Sequence, residues 1–192
     1  MKWTHKALIQ RIFSILPYGE KLNYFAQKHI THNLPLSYEA FKKNYEAKVL
    51  TTSKIIKRYS NTDEYHTKRY FEFGAGWDLL TPIGLRKVLG LGALYVVDVR
   101  ELIKAELIKD TLSKYALILQ EKTSITPSES DVKQFLADTL GIHYSLQDAS
   151  NTSFAESSID YIGSYAVLEH IPILSIKAIL KECYKILNGG GG

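Results

Sequence analysis

One stretch constrains the fold more than any other: Tyr70-Phe-Glu-Phe-Gly-Ala-Gly-Trp-Asp78, followed after one helix length by Tyr95-Val-Val-Asp-Val99. An apolar run, a glycine pair, a helix-length segment and a second apolar run closing on a carboxylate read as a βαβ unit of a parallel sheet. Gly74 and Gly76, with Ala75 between them, let backbone approach a ligand closely, and Asp98 stands where it can accept both hydroxyls of a ribose. A Gly-x-Gly turn alone is an ordinary tight turn. Here it follows an apolar strand, and Asp98 ends the next strand 22 residues after Gly76, so two constraints of a nucleoside site are met inside one unit.

The rest of the chain fits around that unit. From Arg69 onward, β-rich runs at about 69–73, 93–98, 142–146 and 159–165 alternate with helical patterns at about 82–89, 101–120, 131–140 and 172–187, which predicts helices around a parallel sheet. Residues 123–131 read as a surface loop. Upstream the period is helical throughout: an amphipathic helix over 3–16 ended by Pro17-Tyr-Gly19, a second over 21–30, and a third over 38–59. In the third, Phe41, Tyr45, Val49, Ile55, Ile56 and Tyr59 are available for a buried stripe. The expected domains are therefore a helical N-terminal cap at 1–60 and a nucleoside-binding α/β domain at 61–192.

Charge separates the same two regions. Of 192 residues, the first 68 carry 12 Lys/Arg against 5 Asp/Glu, and the remainder 12 against 15. The lysines form no block of like charge, so a solvated helix face is the reading and nucleic acid is not indicated. The basic first helix is compatible with a peripheral contact to an anionic membrane. No apolar run approaches the length of a bilayer span. The single Cys183 allows no internal disulfide and no signal-peptide pattern opens the chain, which together fit a cytoplasmic location.

A dinucleotide fold shares the first constraints and is tested on the next residues. Its fingerprint wants a third glycine where Leu79 stands, and a helix N-terminus against the pyrophosphate, whereas Thr81-Pro82 reads as an N-cap and first helical residue about five positions beyond Gly76. Glu72, two residues before the first glycine, would repel a pyrophosphate and suits a ligand bearing ammonium and sulfonium charges.

At this point the chain resembles the class I S-adenosylmethionine-dependent methyltransferases of the small-molecule, type 11 kind. Glu72-Phe-Gly-Ala-Gly-Trp-Asp78 is similar to their first motif, with Asp78 in place of its last glycine. The resemblance implies that Asp98 holds the ribose hydroxyls with Val99 beside the adenine, and that Asp148 of Gln147-Asp-Ala149 accepts from the adenine amino group. Ser164-Tyr-Ala-Val-Leu-Glu-His-Ile171 is similar to the end of the fourth strand, and Leu180–Gly190 to the helix and glycine turn before the fifth, with Asn188 for the usual proline. The implied cofactor-binding set is Glu72, Gly74, Ala75, Gly76, Asp98, Val99, Asp148, Ala149, Ser164 and Tyr165, and the cofactor S-adenosyl-L-methionine.

Methyl transfer needs alignment of the partners and, for some acceptors, removal of a proton. His170, just beyond the fourth strand, is the candidate base; its alternative is a capping or packing histidine. Tyr165 and Trp77 are candidates to wall the site, or to pack. Glu169 has the same ambiguity as His170. No histidine has metal-ligand spacing, and no metal is expected.

The family's fold is a Rossmann-like sheet of seven strands in the order 3-2-1-4-5-7-6. The expectation here is its 3-2-1-4 part, with strands 5–7 missing and the chain read as a partial sequence, so that turnover would need the absent strands. The expected function is methyl transfer to an oxygen or nitrogen of a small-molecule acceptor. Two alternatives stand beside it: an NAD(P)-dependent Rossmann oxidoreductase, and a non-catalytic truncated binding module.

Overall fold

A computed structural model describes residues 24–30, 33–60, 63–121, 127 and 131–189. The helix expected over 3–16, the start of that over 21–30, most of the loop at 123–131 and the last glycines lie outside the described residues. Two compact units divide the chain, 1–41 and 42–192. In the first, a π-helical turn spans Ala26–Ile30, where Phe25 and His29 lie with ring centroids 4.8 Å apart. Helix α1 (Tyr38–Asn44) runs across the boundary.

In the second unit the helical run continues as a π-helical segment, Tyr45–Leu50, and then as α2 (Thr51–Tyr59). The single helix expected over 38–59 is thus interrupted in its middle by wider turns. That interruption changes the buried stripe. Tyr45, Val49 and Ser53 recur every fourth residue and are buried with Ile56, a spacing longer than the 3.6 residues of an α-helix. Ile55 and Tyr59, expected in the stripe, are 51% and 61% exposed.

The sheet comprises β1 (Arg69–Phe73), β2 (Ala93–Asp98), β3 (Ile142–Leu146) and β4 (Tyr161–Gly163). All neighbours are parallel, in the order β3-β2-β1-β4. Crossovers are made by α3 (Leu80–Leu89), by α4 (Ala105–Leu119) with α5 (Val132–Leu140), and α6 (Ile173–Ile186) follows β4. Strand β4 is shorter than the run expected over 159–165. Ile159 makes only an isolated parallel bridge to Leu187, because Asp160 turns in to accept from the Arg69 N–H and the Lys68 ammonium.

Because paired residues of parallel strands share a face, the register of β1 on β2 sorts the sheet into two sides. Phe71, Phe73 and Val97 pack with Ile159 and with Ile179 and Ile186 of α6, each such buried side chain contributing roughly 1.5–3 kcal/mol. On the other side lie Tyr70, Glu72, Leu94, Val96 and Asp98. There Tyr115 of α4 donates to the Leu80 carbonyl at 2.7 Å and meets Tyr45 edge-on at 5.8 Å. One carboxylate ties α6 to the loop after β3: Glu182 accepts from the Thr152 N–H and hydroxyl and from Lys185.

Candidate functional site

Parallel strands collect their ligands at their C-terminal ends, where connections diverge. Strand β1 ends in Glu72-Phe73 and turns at once. The Gly74 N–H donates to the Val97 carbonyl at 3.0 Å, so the turn is held against β2 while the chain leaves the sheet. Gly74 adopts φ +71° and its missing Cβ would lie 2.5 Å from a methyl of Val167. Gly76 adopts φ +80° with nothing within 4 Å of where a Cβ would stand. The first glycine is there for close packing beneath the turn, and the second leaves open space above it.

The helix beyond the turn starts earlier than Thr81-Pro82 implies. Leu79, at φ 48° and ψ 35°, precedes a first helical residue Leu80, so Thr81 and Pro82 lie inside the first turn. The capping carboxylate is that of Asp78, whose Oδ1 accepts from the Leu80 N–H at 3.2 Å. Proline in the first turn is harmless because its N–H would have no helical partner. Asp78, the residue that departs from the glycine motif, thus serves the helix terminus.

Glu72 is 2% exposed and accepts from the Tyr70 hydroxyl at 3.0 Å. Burial pushes its carboxyl up to about 8; the Tyr70 hydrogen bond and the Lys48 ammonium pull the other way, and the charges of Asp98 and Asp78 add to the rise. At neutral pH the side chain holds a proton. Burial likewise raises the Asp78 carboxyl. Asp98 is 7% exposed at the end of β2, one strand over from Glu72, and its carbonyl accepts from the Gln147 N–H at 3.1 Å.

The loop after Asp98 is fixed from β3. The Tyr144 hydroxyl accepts from the Leu102 N–H at 3.2 Å and donates to the Arg100 carbonyl at 3.1 Å. Burial, with the Asp98 charge adding to it, raises the Tyr144 hydroxyl well above its ordinary range, which keeps it a donor. Val99 opens this loop and is 74% exposed.

Asp148 lies past β3 and is exposed; its Oδ1 accepts from both the N–H and the hydroxyl of Ser150 at 2.8 Å, and these bonds hold its carboxyl below the usual range. Ala149 beside it is buried in the core with Phe71 and Ile179. Past β4, the Ser164 hydroxyl donates to the Phe73 carbonyl at 3.3 Å, and the Tyr165 hydroxyl is hydrogen-bonded to the Thr52 hydroxyl of α2. Lys48 sits with its ammonium 5.9 Å from the Tyr165 ring centroid. His170 ends a short 3₁₀ turn (Leu168–His170), with Nε2 3.4 Å from the Glu169 carboxylate, and both side chains are exposed.

The structure therefore gathers Glu72, Gly74, Ala75, Gly76 and Asp98 at the ends of β1 and β2, and brings Ser164 and Tyr165 to the end of β4 beside them. It places Ala149 in the core, and Val99, Asp148 and His170 on exposed loops. Sequence reasoning missed Lys48, Thr52, Tyr70 and Tyr144. Tyr70 was within reach, since it precedes Glu72 by two on the same face of one strand. The others come from elements distant in sequence and carry no local signal.

Sheet order and motif positions now decide the architecture. A parallel β3-β2-β1-β4 order, with the glycine turn after the central β1 and a carboxylate ending β2, is that of the Rossmann-like methyltransferase core, and residues 109–192 match the family model described as a methyltransferase domain. The fold is that of a class I methyltransferase. The family match covers less than half of this methyltransferase-fold chain. Among solved structures, a Methanococcus maripaludis protein assigned as an S-adenosyl-L-methionine-dependent methyltransferase aligns at 16% identity and TM-score 0.46, over 90% of this chain and 59% of its own. A protein from Pyrococcus horikoshii OT3 aligns at 15% identity and TM-score 0.49, over 88% of this chain and 62% of its own. The chain thus spans about three fifths of the length of either structure. No curated protein sequence matches it.

Proposed function

We propose that this chain forms the S-adenosylmethionine-binding part of a methyltransferase that acts on an oxygen or nitrogen of a small molecule. The observation that carries the reading is the pairing, at adjacent strand ends, of a buried carboxyl at Glu72 with a buried carboxylate at Asp98, separated by a glycine turn whose outer side is open. That donor set fits the cofactor. Asp98 would accept the ribose hydroxyls, Gly74–Gly76 would leave room for the ligand, and Glu72 would face its ammonium group. When bound, S-adenosylmethionine supplies a methyl group on a positively charged sulfur.

The residues of this chain do the rest by position and charge. A cationic ligand beside Glu72 would draw off the proton that burial keeps there, converting a neutral carboxyl into a counter-ion. Lys48 and Tyr165 would border the space on the β4 side. His170, exposed past β4, would take a proton from the acceptor. A dinucleotide is disfavoured by Asp78: its carboxylate already occupies the N-terminus of α3, where a pyrophosphate would need the free N–H groups.

Calorimetry with S-adenosylhomocysteine and with NAD on the purified chain tests the reading. Binding of the first and not the second is expected, and the reverse would overturn it. Asp98→Ala should abolish the S-adenosylhomocysteine signal; unchanged affinity would remove the ribose assignment.

A further inference from the structure

Helix α2 presents two contrasting sides. Inward, Ser53 and Ile56 are buried and Thr52 reaches Tyr165. Outward, Lys54, Lys57 and Arg58 are all exposed, and beside them Ile55 and Tyr59 are 51% and 61% exposed. Lys54 and Arg58 are neighbours four apart, as are Ile55 and Tyr59, so the cations and the two large apolar side chains form adjoining rows along one helix. The Arg58 guanidinium lies 5.8 Å from the Tyr59 ring centroid, which joins the rows.

The charge on this side is uncompensated. No acidic residue stands between Glu46 and Asp63, while Lys48, Lys54, Lys57 and Arg58 do. None of the three outward cations forms an ion pair with a described residue. A face that only served solubility would not need Ile55 and Tyr59 in contact with water, and each leaves apolar area exposed at a cost of about 25 cal/mol per Å².

From this juxtaposition we propose that the outer face of α2 docks on an anionic lipid surface. Lys54 and Arg58 meet the headgroups, with Lys57 adding its charge from the flank, while Ile55 enters the acyl boundary and Tyr59 sits at headgroup level with its hydroxyl in water. The chemistry favours lipid over nucleic acid because phosphate-backbone recognition would use the cations and leave the aliphatic Ile55 in solvent. The contact is peripheral: among the described residues no helix is long and apolar enough to cross a membrane. None of the five side chains belongs to the cofactor-binding set, so the proposal does not depend on the cofactor reading.

Co-sedimentation of the chain with vesicles tests it. Phosphatidylcholine vesicles containing phosphatidylserine should bind the protein, and pure phosphatidylcholine vesicles should not. With about 1 kcal/mol per cation near the surface, the triple variant K54E/K57E/R58E should lose on the order of 100-fold in affinity, and added salt should act in the same direction. I55S/Y59S should weaken binding while keeping the salt dependence. Each variant is checked by thermal melting, which should be unchanged because all five side chains are exposed. The proposal fails if the protein ignores both vesicle types, binds them equally, or binds equally well as the triple variant. It also fails if single-stranded RNA binds more tightly than the anionic vesicles and shows the same variant dependence, which would make the face a nucleic-acid surface.

Discussion

Glu72→Gln isolates the energetic consequence of burying a carboxyl in the floor of the site. The Glu72 carboxyl is held at about 8 in the folded chain against an ordinary value of 4.5, chiefly by burial. For an acid raised on folding, the native state keeps a proton that the unfolded state has released whenever the pH lies between the two values. The slope of stability with pH is then negative over that window. Stability from this group is intact below 4.5, falls as pH rises toward 8, and changes no further above it. At about 1.4 kcal/mol per pH unit, the full loss approaches 5 kcal/mol as an upper figure. Gln keeps the shape and one hydrogen bond to Tyr70 without titrating. Urea unfolding of both proteins at steps from about pH 4.5 to 8.5 measures the effect. The wild-type stability should drop relative to the variant by several kcal/mol across the range. A difference that stays flat with pH would refute the argument, since it would mean that Glu72 is ionised in the folded chain and that water or a cation reaches it.

Three further outcomes follow from the site geometry. Gly74→Ala places a methyl group 2.5 Å from Val167 at positive φ, and should cost roughly 2–4 kcal/mol in chemical denaturation. Gly76→Ala meets open space and should cost only the roughly 1–2 kcal/mol of its backbone conformation, while weakening S-adenosylhomocysteine binding in calorimetry; equal stability loss at both positions would contradict the two roles given to them. Tyr165→Phe and Thr52→Val should each cost about 1 kcal/mol, and the double variant little more than either, because they remove the same hydrogen bond.

Much of the sheet and of its turn was legible because the signals are local. The runs around Tyr70 and Tyr95 alternate between two packed faces, the glycines sit at positive φ, and Asp98 closes its strand, so each feature can be found within a few residues of itself. The strand expected over 159–165 is longer than β4, since nothing in its apolar pattern shows that Asp160 bonds across to Arg69 and Lys68. Thr81-Pro82 points to a late start for α3 because Thr-Pro is a good capping pair; Asp78 sits earlier and takes the Leu80 N–H, so the helix begins before Thr81. Ala149 travelled with Asp148 in the motif, yet alternate neighbours in a tight turn face opposite ways, and the smaller side chain took the core. Lys48 and Tyr144 reach the site from other elements, and only the packing of those elements against the sheet reveals them.

The wider turns at Tyr45–Leu50 have a consequence for how this helix tolerates length change. A π-helical segment is equivalent to an α-helix carrying an inserted residue, so it sets the rotational phase of everything after it. Winding all six residues as α-helix would turn α2 by about 100° about its axis, whereas deleting one residue as the winding becomes α-helical would leave its phase nearly unchanged. With that rotation Ser53 and Ile56 would point where Lys54 and Lys57 now do, away from the packed side, and Thr52 would rotate off Tyr165. The six residues of the segment thus act as a phase-setting spacer, and a single deletion there disturbs α2 less than a substitution that forces α-helical winding on all six.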